Sequence, residues 1–473
     1  MIRRNTRVSV LMRQEEKENK RLFEEMPVPK AVMTMAVPTI VAQLIILIYN
    51  MADTFFIGRT NDPFMVAGAS LILPLFNVTI AVANIAGVGG GTLVARLLGR
   101  GQGEDARAVA SFSMRFSALG GALFSLLTAV LMTPLLRLLG ASDETFAFAR
   151  KYALCVIVVG AVPTVLSMTM GNLLRNVGCA KQAGFGVSLG GVINILLDPL
   201  FMFVILPRGN EILGAGIATA LSNCITCGYF LVVITRLRSP VLTLSQRVGM
   251  PRRAHLKSFF SVGLPAAVGP FLFDLDYIVI DRLMASYSDR ALAAVGIVLK
   301  AERLPLNAGV GLCLGMVPLA AYNYAAGNLR RMDDVLTFTR RAGVVIALVS
   351  IALYELFAPG IIRIFLSDAL TVEYGSRFLR IRALATIVMF LSFIYVHFFQ
   401  GVGRGGYALF LAVIRWTLIN IPMLFVLNAL FGMLGIVWAQ LVSDSIMALG
   451  SFLFYRRFRQ KTVLSPGDGP TPI

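Results

Sequence analysis

The chain has 473 residues, 57% of them hydrophobic and 14% charged, with a mean hydropathy of +0.77. Soluble domains run near roughly 45–50% apolar and about 25% charged, so this composition excludes a soluble globular protein and points to an integral membrane protein. The formal net charge of +18 is not a nucleic-acid signature here, because Lys and Arg flank apolar segments as they do in the cytoplasmic loops of membrane proteins.

Residues 1–30 are polar and mixed in charge. They read as a cytoplasmic tail, partly helical, with no cleavable leader; the first apolar helix is itself the insertion signal. Twelve apolar runs follow, at about 33–58, 63–91, 108–136, 147–172, 183–206, 213–235, 259–285, 291–321, 335–359, 378–400, 406–428 and 433–455, each long enough for the roughly 20 residues that cross a bilayer as helix. Period-2 alternation is absent, which argues against an outer-membrane barrel. The expected fold is an all-α polytopic membrane protein. The N-terminal tail, the loops near 96–115, 175–181, 236–257, 330–341 and 404, and the C-terminal tail carry 29 Lys and Arg; the opposite loops carry 11, and Lys300, Arg303 and Arg415 fall inside spans. The positive-inside rule then places both termini in the cytoplasm.

The first span ends in Tyr49-Asn-Met-Ala-Asp53-Thr-Phe-Phe-Ile-Gly58. A carboxylate within the bilayer is costly and marks a functional site by default. Asp53 lies one turn after Tyr49, so the two share a face. In the fifth span Asn194 and Asp198 are likewise four apart, and Pro199 follows. Proline cannot donate to the carbonyl four residues back, so that of Ile195 is left free. If spans 1 and 5 touch, these oxygens form a pocket for a hard cation, or a carboxylate pair that carries a proton.

The five cysteines fall in or beside apolar segments, and Cys224-x-x-Cys227 sits mid-helix, where inert packing is the expectation. The loop at 236–257 carries Arg236, Arg238, Pro240, Arg247, Pro251, Arg252, Arg253 and Lys257, and reads as a linker. Span 7 holds Asp274, Asp276 and Asp281; span 8 holds Lys300, Glu302 and Arg303. Such charges face protein or water rather than lipid. An ion-pair network between spans 7 and 8 is one reading; a second-lobe titratable site at Asp276 or Glu302 is the other. His397 reads as a hydrogen-bonded interior residue. Gly87-x-x-x-Gly91 is a close-packing pattern, and prolines such as Pro38 suit helices that bend. With two histidines no typical metal centre is expected. No phosphate-cradling G-x-x-x-x-G-K-[ST] loop is present, so uphill transport would draw on an ion gradient.

The two halves repeat. Gly101-Gln-Gly-Glu-Asp matches Gly327-Asn-Leu-Arg-Arg, and Arg137 matches Arg363, both at a shift of 226; Ile193-Asn194-Ile195 matches Ile419-Asn420-Ile421, and Asp53 matches Asp276. Six spans repeated once keep their sidedness, so the repeat is parallel, with a pseudo-two-fold along the membrane normal, a plan that places a substrate path between two bundles. The expected division is a tail at 1–30, an N-lobe at 31–235, the inter-lobe loop at 236–257, a C-lobe at 258–457 and a tail at 458–473.

Over about residues 30–458 the chain resembles the multidrug and toxic compound extrusion (MATE) transporters. The resemblance is carried by Tyr49–Gly58, Arg175-Asn-Val-Gly178, Asn194-Ile-Leu-Leu-Asp198-Pro199-Leu-Phe201, Gly214-Ala-Gly-Ile-Ala-Thr219 and Pro318-Leu-Ala-Ala-Tyr322-Asn323-Tyr324. It is most similar to the bacterial branch with an N-lobe carboxylate pair. The resemblance implies an inner-membrane antiporter, not an enzyme, exporting amphipathic, often cationic, drug-like small molecules in exchange for Na⁺ or H⁺ by rocking of two lobes. It implies coupling through Tyr49, Asp53, Asn194 and Asp198, with Thr219 a further ligand and Na⁺ placed among Asp53, Asn194 and Asp198. Membrane lipids are the expected surroundings, a monomer the expected state, and no cofactor beyond the coupling ion is implied. The alternatives are a lipid-linked-precursor flippase of the same superfamily, which would need a strongly cationic cavity, and a non-transporting receptor or scaffold, which would need no repeat.

Overall fold

The computed structural model describes residues 20–237, 239–244, 249–365 and 368–464. Residues 1–19 of the expected tail, Arg238 and Arg247 of the expected linker, residues 465–473 and the side chain of Asp274 lie outside the described residues. Everything regular among the described residues is helix, with no strand. Ten helices are long and apolar enough to cross a membrane: α1 (Val28–Gly58), α2 (Pro63–Gly99), α3 (Gly103–Val130), α5 (Ala180–Ile205), α6 (Glu211–Leu237), α7 (Arg253–Ala285), α8 (Asp289–Ala325), α9 (Leu329–Arg363), α11 (Gly405–Phe431) and α12 (Met433–Lys461). Two further helix pairs pass the same test together but are bent: α4 (Asp143–Val159 with Ala161–Asn176, 48°) and α10 (Ala369–Leu384 with Thr386–Gly401, 46°). Counted as one span each, they bring the total among the described residues to the twelve expected.

The helices start where the sequence supplies caps. Ser142 and Thr145 form a reciprocal capping box at the head of α4, Ser288 caps α8, Asn328 caps α9 and Asp368 caps α10. Departures from α geometry are equally local. Wide π turns occupy Ile85–Gly89 in α2, Leu154–Val159 in α4, Leu200–Ile205 in α5 and Ile414–Asn420 in α11. The turn in α5 begins at the residue after Pro199, where the ladder of backbone hydrogen bonds is interrupted.

The chain divides into two compact units. The first comprises Val41–Ala267 and the chain before Pro27; the second comprises Pro27–Ile40 and the chain from Val268 onward. Residues 31–40 thus group with the second unit, and 258–267 with the first. The reason for the former is a close approach: Gly311 and Gly315 on α8 accept the start of α1, where an added Cβ would stand 2.6 Å from Ile40 Cα and 2.5 Å from Ala36 Cα.

Within the first unit one apolar core gathers around Leu93, Leu97, Met170, Phe230 and Phe259, and another around Leu136, Ile157, Met202 and Ile212. The second unit has its core around Val298, Phe378, Leu379 and Ile436. Large apolar side chains such as Leu119, Val130, Val204 and Leu356 are exposed. A surface this apolar suits lipid rather than water as solvent.

Candidate cation site

Tyr49 and Asp53 descend one face of α1. The ring of Tyr49 rests against Gly191 of α5, where an added Cβ would stand 3.1 Å from its Cδ1 and 2.7 Å from Ile45. Spans 1 and 5 therefore do touch, and they touch because α5 has no side chain at that level. Three residues on, Asn194 is buried, and one turn further Asp198 is fully so.

Asn194 is the organiser. Its amide Nδ2 donates to Asp198 Oδ1 and to Thr219 Oγ1 of α6, both at 3.4 Å. Orienting Nδ2 this way turns Asn194 Oδ1 to the other side, where it is buried without a donor. Asp53 Oδ1 and Asp198 Oδ2 are likewise buried and unbonded. Three acceptor oxygens, two from carboxylates, thus stand in one neighbourhood with no proton donor assigned to them. Buried acceptors left so are costly, and oxygen-rich sets of this kind suit a hard monovalent cation or a proton. No cluster of three or more His, Cys, Asp or Glu occurs among the described residues.

Sequence reasoning missed Tyr152. This α4 residue faces the Asp53 carboxylate and the Thr219 hydroxyl, and lies close enough to Asp198 and Tyr49 to interact with both. Its seat is Gly216 of α6, whose Cβ would stand 3.4 Å from the Tyr152 ring. The phenol is a donor on hand for Asp53. Tyr49, Asp53, Tyr152, Asn194, Asp198 and Thr219 all belong to the first unit.

The second unit treats its carboxylates differently. Asp276 of α7 is buried and accepts from Asn420 Nδ2 at 2.5 Å. Glu302 of α8 accepts a fork from Arg382 of α10, Nε at 2.7 Å and Nη2 at 2.8 Å, and Arg382 also donates to Gln440 of α12. Asp444 of α12 accepts the same kind of fork from Arg415 of α11, at 2.6 and 3.1 Å. Arg415 lies over the rings of Trp416 and Phe393, its Cζ 4.0 and 4.4 Å from their centroids.

Two expectations are corrected by this arrangement. The ion pair of Glu302 runs to α10, not to α7; between α7 and α8 there is instead a cation–π contact of Arg303 on Tyr277. Arg382, counted with the loops opposite the termini, is 2% exposed and inside the bundle. The pattern Gln440-x-x-x-Asp444 in an apolar helix is the signal that would have pointed to buried partners for Arg382, at Gln440, and for Arg415, at Asp444. Asn420, which has no aspartate one turn on, nevertheless reaches Asp276. His397 bonds its own helix at Phe393 O, 2.8 Å away, as an interior histidine should. Cys224 and Cys227 are both free thiols.

A family model described as MatE matches residues 38–200 and 265–426. The multidrug export protein MepA of Staphylococcus aureus strain N315 is 29% identical over 446 residues, spanning 94% of this chain and 97% of that protein. The protein of the same name from Staphylococcus saprophyticus is 30% identical over the same shares. A crystal structure of MATE in the straight conformation superposes with a TM-score of 0.87 at 23% identity, covering 93% of this chain and 97% of that one. A MOP superfamily transporter from Pyrococcus furiosus superposes with a TM-score of 0.86 at 22% identity, over 94% and 98%.

Proposed function

The chain belongs to the MatE family, and we propose that it is a secondary antiporter that exports amphipathic, often cationic, drug-like compounds in exchange for Na⁺ or H⁺. The observation that carries the coupling part of this reading is the trio of buried, unbonded acceptors, Asp53 Oδ1, Asn194 Oδ1 and Asp198 Oδ2. The similarity to multidrug export proteins supports the substrate class. We place the protein in the bacterial cytoplasmic membrane with both termini inside, from the 29 against 11 split of Lys and Arg.

The residues divide the work as follows. Asp53 and Asp198 supply the charge that attracts the ion. Asn194, held by Thr219 and Asp198, presents its carbonyl oxygen. Tyr152 holds the Asp53 carboxylate when no ion does. Two neighbouring buried carboxylates repel by a few kcal/mol at contact distances, so arrival of Na⁺ or H⁺ removes a strain on the packing of α1 against α5. Helix α1, with Pro38 in its length, bends or shifts in response. Ion and drug then stabilise different access states, and exchange follows because each ligand moves the equilibrium only by its difference in affinity for the two. A flippase for lipid-linked precursors is not favoured, since Arg415 and Arg382, the deeply buried cations of the second unit, are both neutralised by carboxylates.

The test is dye efflux from proteoliposomes with Na⁺ and pH gradients imposed separately. One of the two gradients should drive efflux by the wild type, and Asp53→Asn and Asp198→Asn should each abolish it at normal expression. Efflux at the wild-type rate in either variant sinks the coupling role.

A further inference from the structure

Four buried arginines in the spans show their guanidinium edges in different company. Arg382 and Arg415 each lay the Nε–Nη2 edge on a carboxylate. Arg175, in the last turn of α4, is 7% exposed and has no such partner. Its Nη1 donates to Asn172 Oδ1 at 2.9 Å. Its Nε is buried and bonds nothing, and it has no ion pair among the described residues. Arg96, the nearby buried arginine of α2, differs again: it donates Nε to Thr92 O and Nη2 to Ser258 Oγ.

The charge of Arg175 is not balanced by what surrounds it. The helix dipole and the one hydrogen bond to Asn172 favour the cation, but no carboxylate stands beside it to offset its removal from water, as one does for Arg382 and Arg415. The close packing that buries it is built in: added Cβ atoms at Gly87 and Gly91 of α2 would stand 2.8 Å from Asn172 Nδ2 and 2.5 Å from Asn176 Nδ2. These glycines let α2 press on the face of α4 that carries Asn172 and Asn176. The chain therefore holds a guanidinium edge whose Nε is buried without a partner, at the end of the unit where the turns 100–102 and 177–179 lie.

We infer that the Nε–Nη2 edge of Arg175 is a binding site for a phosphate-type oxyanion. The planar fork matches two oxygens of a phosphate. The end of a membrane helix is the depth at which phospholipid phosphodiesters lie, and basic sites between helices there take lipid headgroups. A lipid phosphate and a free phosphate present the same chemistry to this edge. The site is separate from Asp53 and its neighbours, and it does not depend on which ion they couple.

The test uses the full-length protein in micelles of a phosphate-free maltoside detergent, alone, with phosphatidylglycerol added, or with inorganic phosphate added, ionic strength being matched with chloride. Thermal unfolding is followed as each anion is titrated. The wild type should gain a saturable increase in Tm from phosphatidylglycerol, from inorganic phosphate, or from both, and the arm that responds identifies the source. Arg175→Lys keeps the charge but loses the fork, and should weaken the apparent affinity about tenfold, the worth of one charge-assisted hydrogen bond. Arg175→Gln should lose the increase altogether. If neither anion raises the wild-type Tm, or if Arg175→Lys responds as strongly as the wild type, the site does not exist; both outcomes are readable even if the Gln variant fails to fold.

Discussion

Consider replacing either of two buried aspartates in the second unit by asparagine. Asp276, Glu302 and Asp444 are three buried carboxylates, and Arg382 and Arg415 are two buried guanidiniums, so the formal sum is 2 − 3 = −1. Asp276→Asn and Asp444→Asn each bring it to zero. If the cluster were a diffuse pool of charge, the two variants would behave alike. The hydrogen bonds say otherwise. Asp444 holds the fork of Arg415 at 2.6 and 3.1 Å. At an effective dielectric near 20, opposite charges ~4 Å apart attract by about 4 kcal/mol, and breaking a buried pair from one side costs about 3–5 kcal/mol. The rings of Trp416 and Phe393 retain some of the cation's stabilisation, about 1–2 kcal/mol, which leaves a net loss of roughly 1–4 kcal/mol. Asp276 has no guanidinium fork, and an asparagine there can still accept from Asn420. Its variant should lie within about 1 kcal/mol of the wild type or above it. Thermal and denaturant unfolding in nanodiscs, with Trp416 fluorescence as a local probe, would separate the two. Equal losses in both variants would refute the reasoning.

Tyr152→Phe keeps the ring on Gly216 but removes the donor facing Asp53, and should lower apparent ion affinity in efflux assays about ten- to hundredfold, the range for one hydrogen bond to a charged group, with Tm little changed. Ser142→Ala breaks the capping box of α4 and should cost about 1 kcal/mol in unfolding free energy. Gly311→Val drives a branched side chain into the Ile40 backbone; a drop of at least ~1–3 kcal/mol, or failure to fold, is expected from overpacking, seen as lower Tm or lower yield of dispersed protein. The Thr371 hydroxyl and amide hold the Asp368 carboxyl below the usual carboxylate range. A depressed folded-state value stabilises above about pH 4, and that stability is lost as pH falls through the folded value. Asp368→Asn should therefore flatten the acid limb of the stability–pH profile, measured by Tm between neutral and acid pH.

The spans were legible because each is an apolar run bounded by charges, and the bilayer allows no other solution for such a run than helix. The carboxylate pair was legible for the same reason in reverse: Asp53 and Asp198 stand out against apolar neighbours. Tyr152 did not stand out, because a tyrosine is unremarked in any membrane helix. Its meaning depends on Gly216, more than sixty positions away in sequence, letting its ring approach α6. Arg382 was misplaced because basic residues crowd the start of α10 with Arg377 and Arg380, and charge counting treats all three as a surface. Only packing separates the one that turns inward. The sharp bend of α10 at Ala385 was invisible too, since no proline stands in that helix, whereas the bend of α4 at Gly160 has Pro163 three residues on, which cannot donate to the Val159 carbonyl.

The wide turn at Ile414–Asn420 has a consequence for helical phase. Residues five apart on an α-helix are rotated by about 500°, that is about 140° from one another, and face nearly opposite ways. A turn that closes one residue later removes much of that offset, and here it lets Arg415 reach Asp444 while Asn420 reaches Asp276. The extra residue is thus a spacer that sets two side chains to one side. Straightening the turn with every residue kept would set the two about 140° apart and turn one of them outward, whereas deleting one position between them would leave them four apart in α geometry, about 40° from one another and still on one side. The wide turn thus accommodates one residue more than an α-helix would between two side chains that share a face.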